Sequence, residues 1–290
     1  MSLRIKPYLS LWDKSFEESN TRTYYLTMQL SLHGLYFVVF DPEKNKYLGM
    51  DIYHFNAIEE ESAISDVLDL IIEQNRWLAS PFKKVKLFYN NAYSTLVPEP
   101  LYSESEKELF LNFNQSVVEN NQVETDMLNN AGSVNVYYLP EPVADKLHQV
   151  WTNISITHLS SQMIECLLLN YKNKLDKQTL FVQVNSGSFN MVSIDNNKLH
   201  YHNIFSYNTK EDFIYFLLAT IEQLGYNPET TELVLMGNID KSDDLYQIIY
   251  QYIGNCHFVK PNKGIFKSYV LDEIRSHQYY LLFNALQCEL

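Results

Sequence analysis

The chain has 290 residues, 46% of them hydrophobic, and carries 22 basic against 35 acidic side chains, a formal charge of −13. That balance repels phosphate backbones and anionic lipid, so no nucleic-acid partner is expected, and the length suits one large domain or two of ordinary size. Cys166, Cys256 and Cys288 are an odd number without C-x-x-C spacing, which argues against a disulfide framework or zinc knuckle and fits a reducing cytoplasm.

The first residues, MSLRIKPYLSLWDKSF, are interrupted by Lys6, Pro7, Asp13 and Lys14 and lack the continuous apolar core of a signal peptide. No later run reaches the roughly 20 apolar residues of a membrane span. Tyr24 to Phe40 is strand-like, Asp41 to Asn45 supplies turn residues, and Tyr47 to Phe55 reads as the returning strand of a hairpin. The acidic run Glu59, Glu60, Glu61 reads as the charged approach to a helix. Ser62 offers an N-cap, and Ile64, Val67, Leu68 and Ile71 fall at i, i+3, i+4, i+7 on one helical face. Lys83, Lys84 and Lys86 read as a solvated strand entrance, and Val85 to Tyr89 as a buried strand. A helix from Ser103 to Phe113, opened by Ser103 with Glu106, precedes a strand from Val134; the polar stretch Asn114 to Gly132 between them reads as an insertion or mobile excursion.

Helices around Pro142 to Trp151 and Ser160 to Tyr171 lead into a second half with the same order. Leu180 to Val184 and Phe189 to Ile194 are strand-like, Asn196-Asn197 is a turn dipeptide, and Leu199 to Phe205 returns. Thr209 with Asp212 forms a capping pattern, and Ile214, Leu217, Leu218 and Ile221 repeat the apolar quartet. Glu232 to Asn238 takes the place of Val85 to Asn91; a helix opened by Asp240 with Asp243 and a strand from Cys256 follow. The segment Val270 to Leu286 reads as a final helix packed back on the body. Within this order SLHGLYFVVFD from Ser31 aligns without a gap on NSGSFNMVSID from Asn185, so Asp41 meets Asp195. The expectation is a duplicated α/β protein of two βββαβαβ units with mixed sheets, residues 1–150 with an insertion near 114–132 and residues 151–290 with a C-terminal helix.

That element order and its loops resemble the actin-like ATPase superfamily, with its duplicated ribonuclease H-like fold. The whole chain is similar to an uncharacterised bacterial family described as having an actin-like fold and unknown function. The resemblance implies two phosphate loops of D-x-G type at the hairpins and an adenosine-facing strand ending in paired glycines. Acidic residues there would hold Mg²⁺, and the glycines would let backbone amides reach phosphate. Here the first loop reads Ser31-Leu32-His33-Gly34, the second Asn185-Ser186-Gly187-Ser188, and the third Met236-Gly237-Asn238. Both magnesium-facing carboxylates are replaced, by Ser31 and Asn185, and only 8 glycines are present in the whole chain. Ser31, His33, Gly34, Asn185, Ser186, Gly187, Ser188, Gly237 and Asn238 are therefore the candidate cleft residues, in a non-catalytic scaffold that acts on a protein partner. No cofactor is expected; the alternative is a nucleotide-binding protein with little or no hydrolysis, holding Mg-ATP in that cleft. His200 and His202, alternate residues of one strand, would share a face, but no third metal ligand accompanies them.

Overall fold

The computed structural model describes residues 5–287 apart from 56, 57, 59, 176, 177, 263 and 265. Glu59 and Cys288 lie outside the described residues. Four strands open the chain, β1 (Leu9–Trp12), β2 (Tyr25–Ser31), β3 (Gly34–Asp41) and β4 (Lys46–His54), followed by α1 (Ile64–Gln74) and β5 (Lys84–Asn90). Next come β6 (Ser94–Pro98), α2 (Lys107–Asn114), β7 (Asn121–Leu128), β8 (Ser133–Pro140), α3 (Glu141–Val150), β9 (Ile154–His158) and α4 (Leu159–Tyr171). The second half runs β10 (Thr179–Val184), β11 (Ser188–Asp195), β12 (Lys198–Ser206), α5 (Lys210–Gln223), β13 (Glu232–Gly237), α6 (Asp244–Tyr252) and β14 (Asn255–Phe258). It closes with β15 (Phe266–Lys267) and α7 (Tyr280–Asn284).

The duplication shows in strand order. One sheet runs β1-β4-β3-β2-β5-β9, with β15 beside β4, and the other runs β12-β11-β10-β13-β14. Setting β1 and β15 aside, each is a meander of three antiparallel strands extended by two parallel ones. The parallel strands are buried on both faces: Val85, Leu87 and Tyr89 of β5 join one core cluster and Phe88 joins another. Local signals explain the parts seen in the sequence. Asn196 and Asn197 both take positive φ (49° and 62°), the two-residue hairpin geometry that Asn tolerates. Thr209 and Asp212 make both bonds of the capping box at α5.

Several expected features are placed differently. The strand beside β5 is β9, reached through α3, so the strand from Val134 does not close the first sheet. That strand, β8, is instead the centre of a separate three-stranded antiparallel sheet, β6-β8-β7, over which α2 packs through Leu111. The insertion therefore spans β6 through β8, and the polar stretch Asn114 to Gly132 contains β7. Polar side chains there are tolerated because β7 is an edge strand with one sheet neighbour. Leu128 reaches the central core and Asp126 is also buried. Replacing residues 114–132 by a Gly-Ser linker should therefore lower stability by at least about 3 kcal/mol, from the lost Leu128 side chain and pairing with β8. Chemical denaturation checks this, and an unchanged midpoint would show the segment to be dispensable.

Helix starts also differ. Ser62 caps nothing: its Oγ donates to the Glu60 carboxylate at 3.3 Å, and a 3-10 turn leads into α1. Ser103 likewise makes no cap bond, and α2 begins only after a 3-10 turn over Glu104–Glu106. At α6 only half of the box forms, with the Asp243 carboxylate accepting from the Asp240 amide at 2.7 Å. Lys86 is buried rather than solvated, donating to Gln162 Oε1 and the Ala285 carbonyl, each at 3.3 Å. The final segment is mostly turns, with α7 as its only α-helix among the described residues. Within it the His277 carbonyl accepts from the Gly237 amide at 2.9 Å. Between the sheets lies α4, buried at every position from Leu159 to Leu168 and in contact with α7. This helix brings the two halves, and their hairpins, face to face.

Candidate functional site

Each hairpin closes with a short turn. Ser31 pairs with Gly34 across Leu32 and His33, and the Ser31 hydroxyl accepts from the His33 amide at 3.2 Å. In the second hairpin the Asn185 amide donates to the Ser188 carbonyl at 2.9 Å across Ser186 and Gly187, with Gly187 at φ 70°. Tyr207 clasps this turn from β12's far end: its amide donates to the Gly187 carbonyl and its hydroxyl to the Asn185 carbonyl, both at 3.0 Å. The two turns meet, because a Cβ on Gly187 would lie 3.9 Å from His33 Nε2.

The third loop is occupied by the protein itself. Gly237 stands at φ 86°; its amide donates to the His277 carbonyl, the Asn238 amide to the Val184 carbonyl at 2.8 Å, and the Ile239 amide to the Gly237 carbonyl at 2.8 Å. The side-chain amide of Gln183 packs against Gly237 and donates to Asn185 Oδ1 at 3.3 Å. Three backbone amides of a position expected to face a ligand thus serve internal carbonyls.

Ser31, His33, Asn185, Ser186, Gly237 and Asn238 line one cleft of about 190 Å³, below the roughly 300–1,000 Å³ typical of ligand pockets. Aromatic rings narrow it: Tyr8 stacks on His54 at 4.5 Å, and Tyr36 meets the edge of Tyr279 at 5.8 Å. Burial pushes the Tyr36 hydroxyl pKa up and the His54 imidazole pKa down, so both remain uncharged near neutrality. No Asp or Glu lines this cleft among the described residues. Gly187 and Ser188 line an adjoining cavity of about 580 Å³ that shares Ser31, His33 and Ser186. Gly34 lines neither; a Cβ there would sit 2.4 Å from the Tyr53 carbonyl, so its glycine serves strand packing.

The second cavity contains what the sequence did not assign to a site. Glu60 and Glu61 line it, with Glu119 of the inserted segment. Burial pushes the Glu61 carboxyl up. Their signal was the acidic run before α1, which reads equally well as helix-terminal charge.

The histidine pair separates. A β-bulge opposite Ser193 and Ile194 falls at His200 and breaks the alternation that would have put both imidazoles on one face. His200 is exposed and turns to Tyr226, Nδ1 to hydroxyl 3.2 Å, whereas His202 faces the interior near His158. Among the described residues no group of three or more His, Cys, Asp or Glu side chains could hold a metal ion.

Behind the hairpins a buried polar network joins the insertion to both halves. Asp126 on β7 accepts from the His158 amide at 2.8 Å, and His158 Nδ1 accepts from the Ser160 amide at 3.2 Å, capping α4. That bond leaves the proton on His158 Nε2, which faces Asn91 Oδ1 at 3.4 Å. Ser160 then donates to Asn190 of β11 at 2.8 Å. Desolvation pushes the Asp126 carboxyl up to about 7 despite hydrogen bonds from Ser161, the His158 amide and Tyr137. It pushes His158 down to about 3 and His202 down to about 4, so both rings are neutral.

The family described as protein of unknown function DUF3822 matches residues 13–256. The chain belongs to this family. No curated protein matches it. A solved protein of this likeness, from Bacteroides thetaiotaomicron and described as having an actin-like ATPase fold and unknown function, is 18% identical at a TM-score of 0.80, covering 94% of this chain and 99% of that one. The PilM–PilN type IV pilus biogenesis complex gives 13% identity and a TM-score of 0.59, covering 92% and 98%. These likenesses, with the two matching sheets, establish this DUF3822 member as a duplicated ribonuclease H-like protein of the actin-like ATPase fold. No helix among the described residues is long and apolar enough to cross a membrane.

Proposed function

We propose that this DUF3822 protein is a non-catalytic actin-like scaffold of the cytoplasm that works through contacts with a protein partner. One observation carries the reading: among the described residues no carboxylate lines the cleft between the halves, and the Gly237, Asn238 and Ile239 amides of its third loop already donate to protein carbonyls. Phosphoryl transfer depends on metal-bound charge and on donors aimed at phosphate oxygens; among the described residues no carboxylate lines this cleft to hold a metal, and three backbone amides of its third loop are already engaged. The adjoining cavity is large enough for a ligand, but Glu60 and Glu61 on its wall oppose a phosphate group. The PilM fold neighbour is found in a complex with another protein, PilN, which agrees with a role through contacts. The insertion offers such a surface, since Leu109 and Phe113 stand exposed four residues apart on α2, Phe113 at 87%.

ATP hydrolysis with Mg²⁺ should not exceed background, and calorimetry should detect no ATP binding. Turnover that disappears in Asn185→Ala would overturn the proposal. Affinity capture from native extract should return the same partner with and without added nucleotide, and less of it with Leu109→Ala/Phe113→Ala.

A further inference from the structure

A cavity of about 900 Å³ lies away from the inter-unit cleft, between β1, the end of β4 and α1. Trp12, Phe16, Trp77 and Tyr53 give it aromatic walls. The rings stand at different angles: Trp77 meets Trp12 edge-on at 5.1 Å and Phe16 at 5.0 Å, while Trp12 and Phe16 lie 4.4 Å apart. Asp51 is also a lining residue, although only 3% exposed, and one of its oxygens accepts from Trp12 Nε1 at 2.8 Å. No Lys, Arg or His pairs with Asp51 among the described residues. Exposed Glu18 and Glu73 add two more carboxylates to the walls, against the ammonium of Lys6 as the one cationic lining group among the described residues.

A buried carboxylate is stabilised by an opposite charge, and a desolvated cation is held most strongly where aromatic faces surround it. We propose that this pocket binds an arginine side chain presented by a basic segment of a protein partner. The guanidinium is the better fit than an ammonium because its plane stacks on an indole while its N–H groups reach a carboxylate. The chemistry is read from the pocket alone; only the placement of the arginine on a protein rests on the scaffold reading.

The pocket reports on itself, because Trp12 and Trp77 are two of the chain's three tryptophans and line it, whereas the third, Trp151, is buried and does not. The test titrates the full chain with an acetylated, amidated Gly-Gly-Arg-Gly-Gly peptide and with its lysine and citrulline counterparts, reading tryptophan fluorescence. The arginine peptide should give a saturable change, the lysine peptide a weaker one, and the uncharged citrulline peptide none. Asp51→Asn keeps an acceptor for Trp12 and should weaken arginine binding by about tenfold, the scale of one charge-assisted contact. Glu73→Gln, an exposed change that leaves folding intact, should weaken it less, and Lys6→Gln should strengthen it by removing the competing cation. Equal binding of arginine and citrulline peptides, no saturable change, or unaltered affinity in both carboxylate variants would overturn the proposal. Any of these would leave the scaffold reading standing, since capture of a partner does not depend on this pocket.

Discussion

At pH 8 the Asp126→Asn variant should be more stable than the parent by about 4 kcal/mol, and near pH 4 the two should unfold together. The sign follows from the direction of the shift. Desolvation raises the Asp126 carboxyl from 3.8 to about 7, so between those values the folded protein holds a proton that the unfolded chain releases. Its contribution is favourable below the unfolded value, is lost as pH rises through the interval, and is flat above about 7. Asn keeps an acceptor for the His158 amide and does not titrate. His158 and His202 work in the opposite sense: both are lowered from 6.5, so their contribution is present above 6.5 and lost as pH falls toward 4 and 3. In the parent these trends oppose each other. In the variant the histidines act alone, and stability should fall steadily from pH 6.5 to 4. Urea titrations at four pH values check this. A variant less stable than the parent at pH 8 would show that the fold favours the Asp126 carboxylate over its protonated form and that its charge holds the joint.

What could be read from the sequence was local. The hairpin at Asn196-Asn197 and the Thr209–Asp212 box depend on residues two or three apart, and both formed. The neutral character of the loops at Ser31 and Asn185 was equally legible, because it is a matter of residue identity. The insertion was not: β7 alternates polar side chains at an exposed edge, and only pairing with β8 makes it a strand. The true neighbour of β5 is the five-residue β9, too short to stand out beside the longer apolar run of β8. Strand alternation put His200 and His202 together until one bulge, invisible in the sequence, separated them. The aromatic pocket brings Trp12 beside Asp51 through β1 pairing with β4 and adds Trp77 from the turn after α1, contacts that no spacing announces.

The same distinction bears on the candidate cleft. Its hairpins at Ser31 and Asn185 meet across a space that the chain's own side chains narrow from within. Tyr8, Tyr36, His54 and Tyr279 narrow the mouth, Gln183 reaches the base, and the backbone amides of Gly237, Asn238 and Ile239 are satisfied. Polar groups satisfied by the protein gain little from a ligand that must first displace their partners. A glycine kept in such a loop then serves the closed fold, and that is open to measurement.

Gly237→Ala should destabilise the protein by more than about 4 kcal/mol, whereas Gly187→Ala should lose only about 1–2 kcal/mol. Both residues have positive φ, 86° and 70°, so both substitutions meet the same backbone penalty. Their surroundings differ. A Cβ at Gly237 would lie 2.2 Å from the Val184 carbonyl oxygen and 2.4 Å from Gln183 Nε2, while at Gly187 the nearest atom is His33 Nε2 at 3.9 Å. The Val184 carbonyl cannot retreat without giving up the Asn238 amide it accepts, and β10 pairs with β13 through Val184 and Gly237. Truncating the flexible neighbour, Gln183→Ala, should therefore recover only a minor part of the Gly237→Ala loss. Urea unfolding of the two single variants and the Gln183→Ala/Gly237→Ala pair measures each term. If Gly237→Ala proves as mild as Gly187→Ala, the third loop can move away from Val184, its amides can be freed for a ligand, and the closed-cleft basis of the scaffold reading fails.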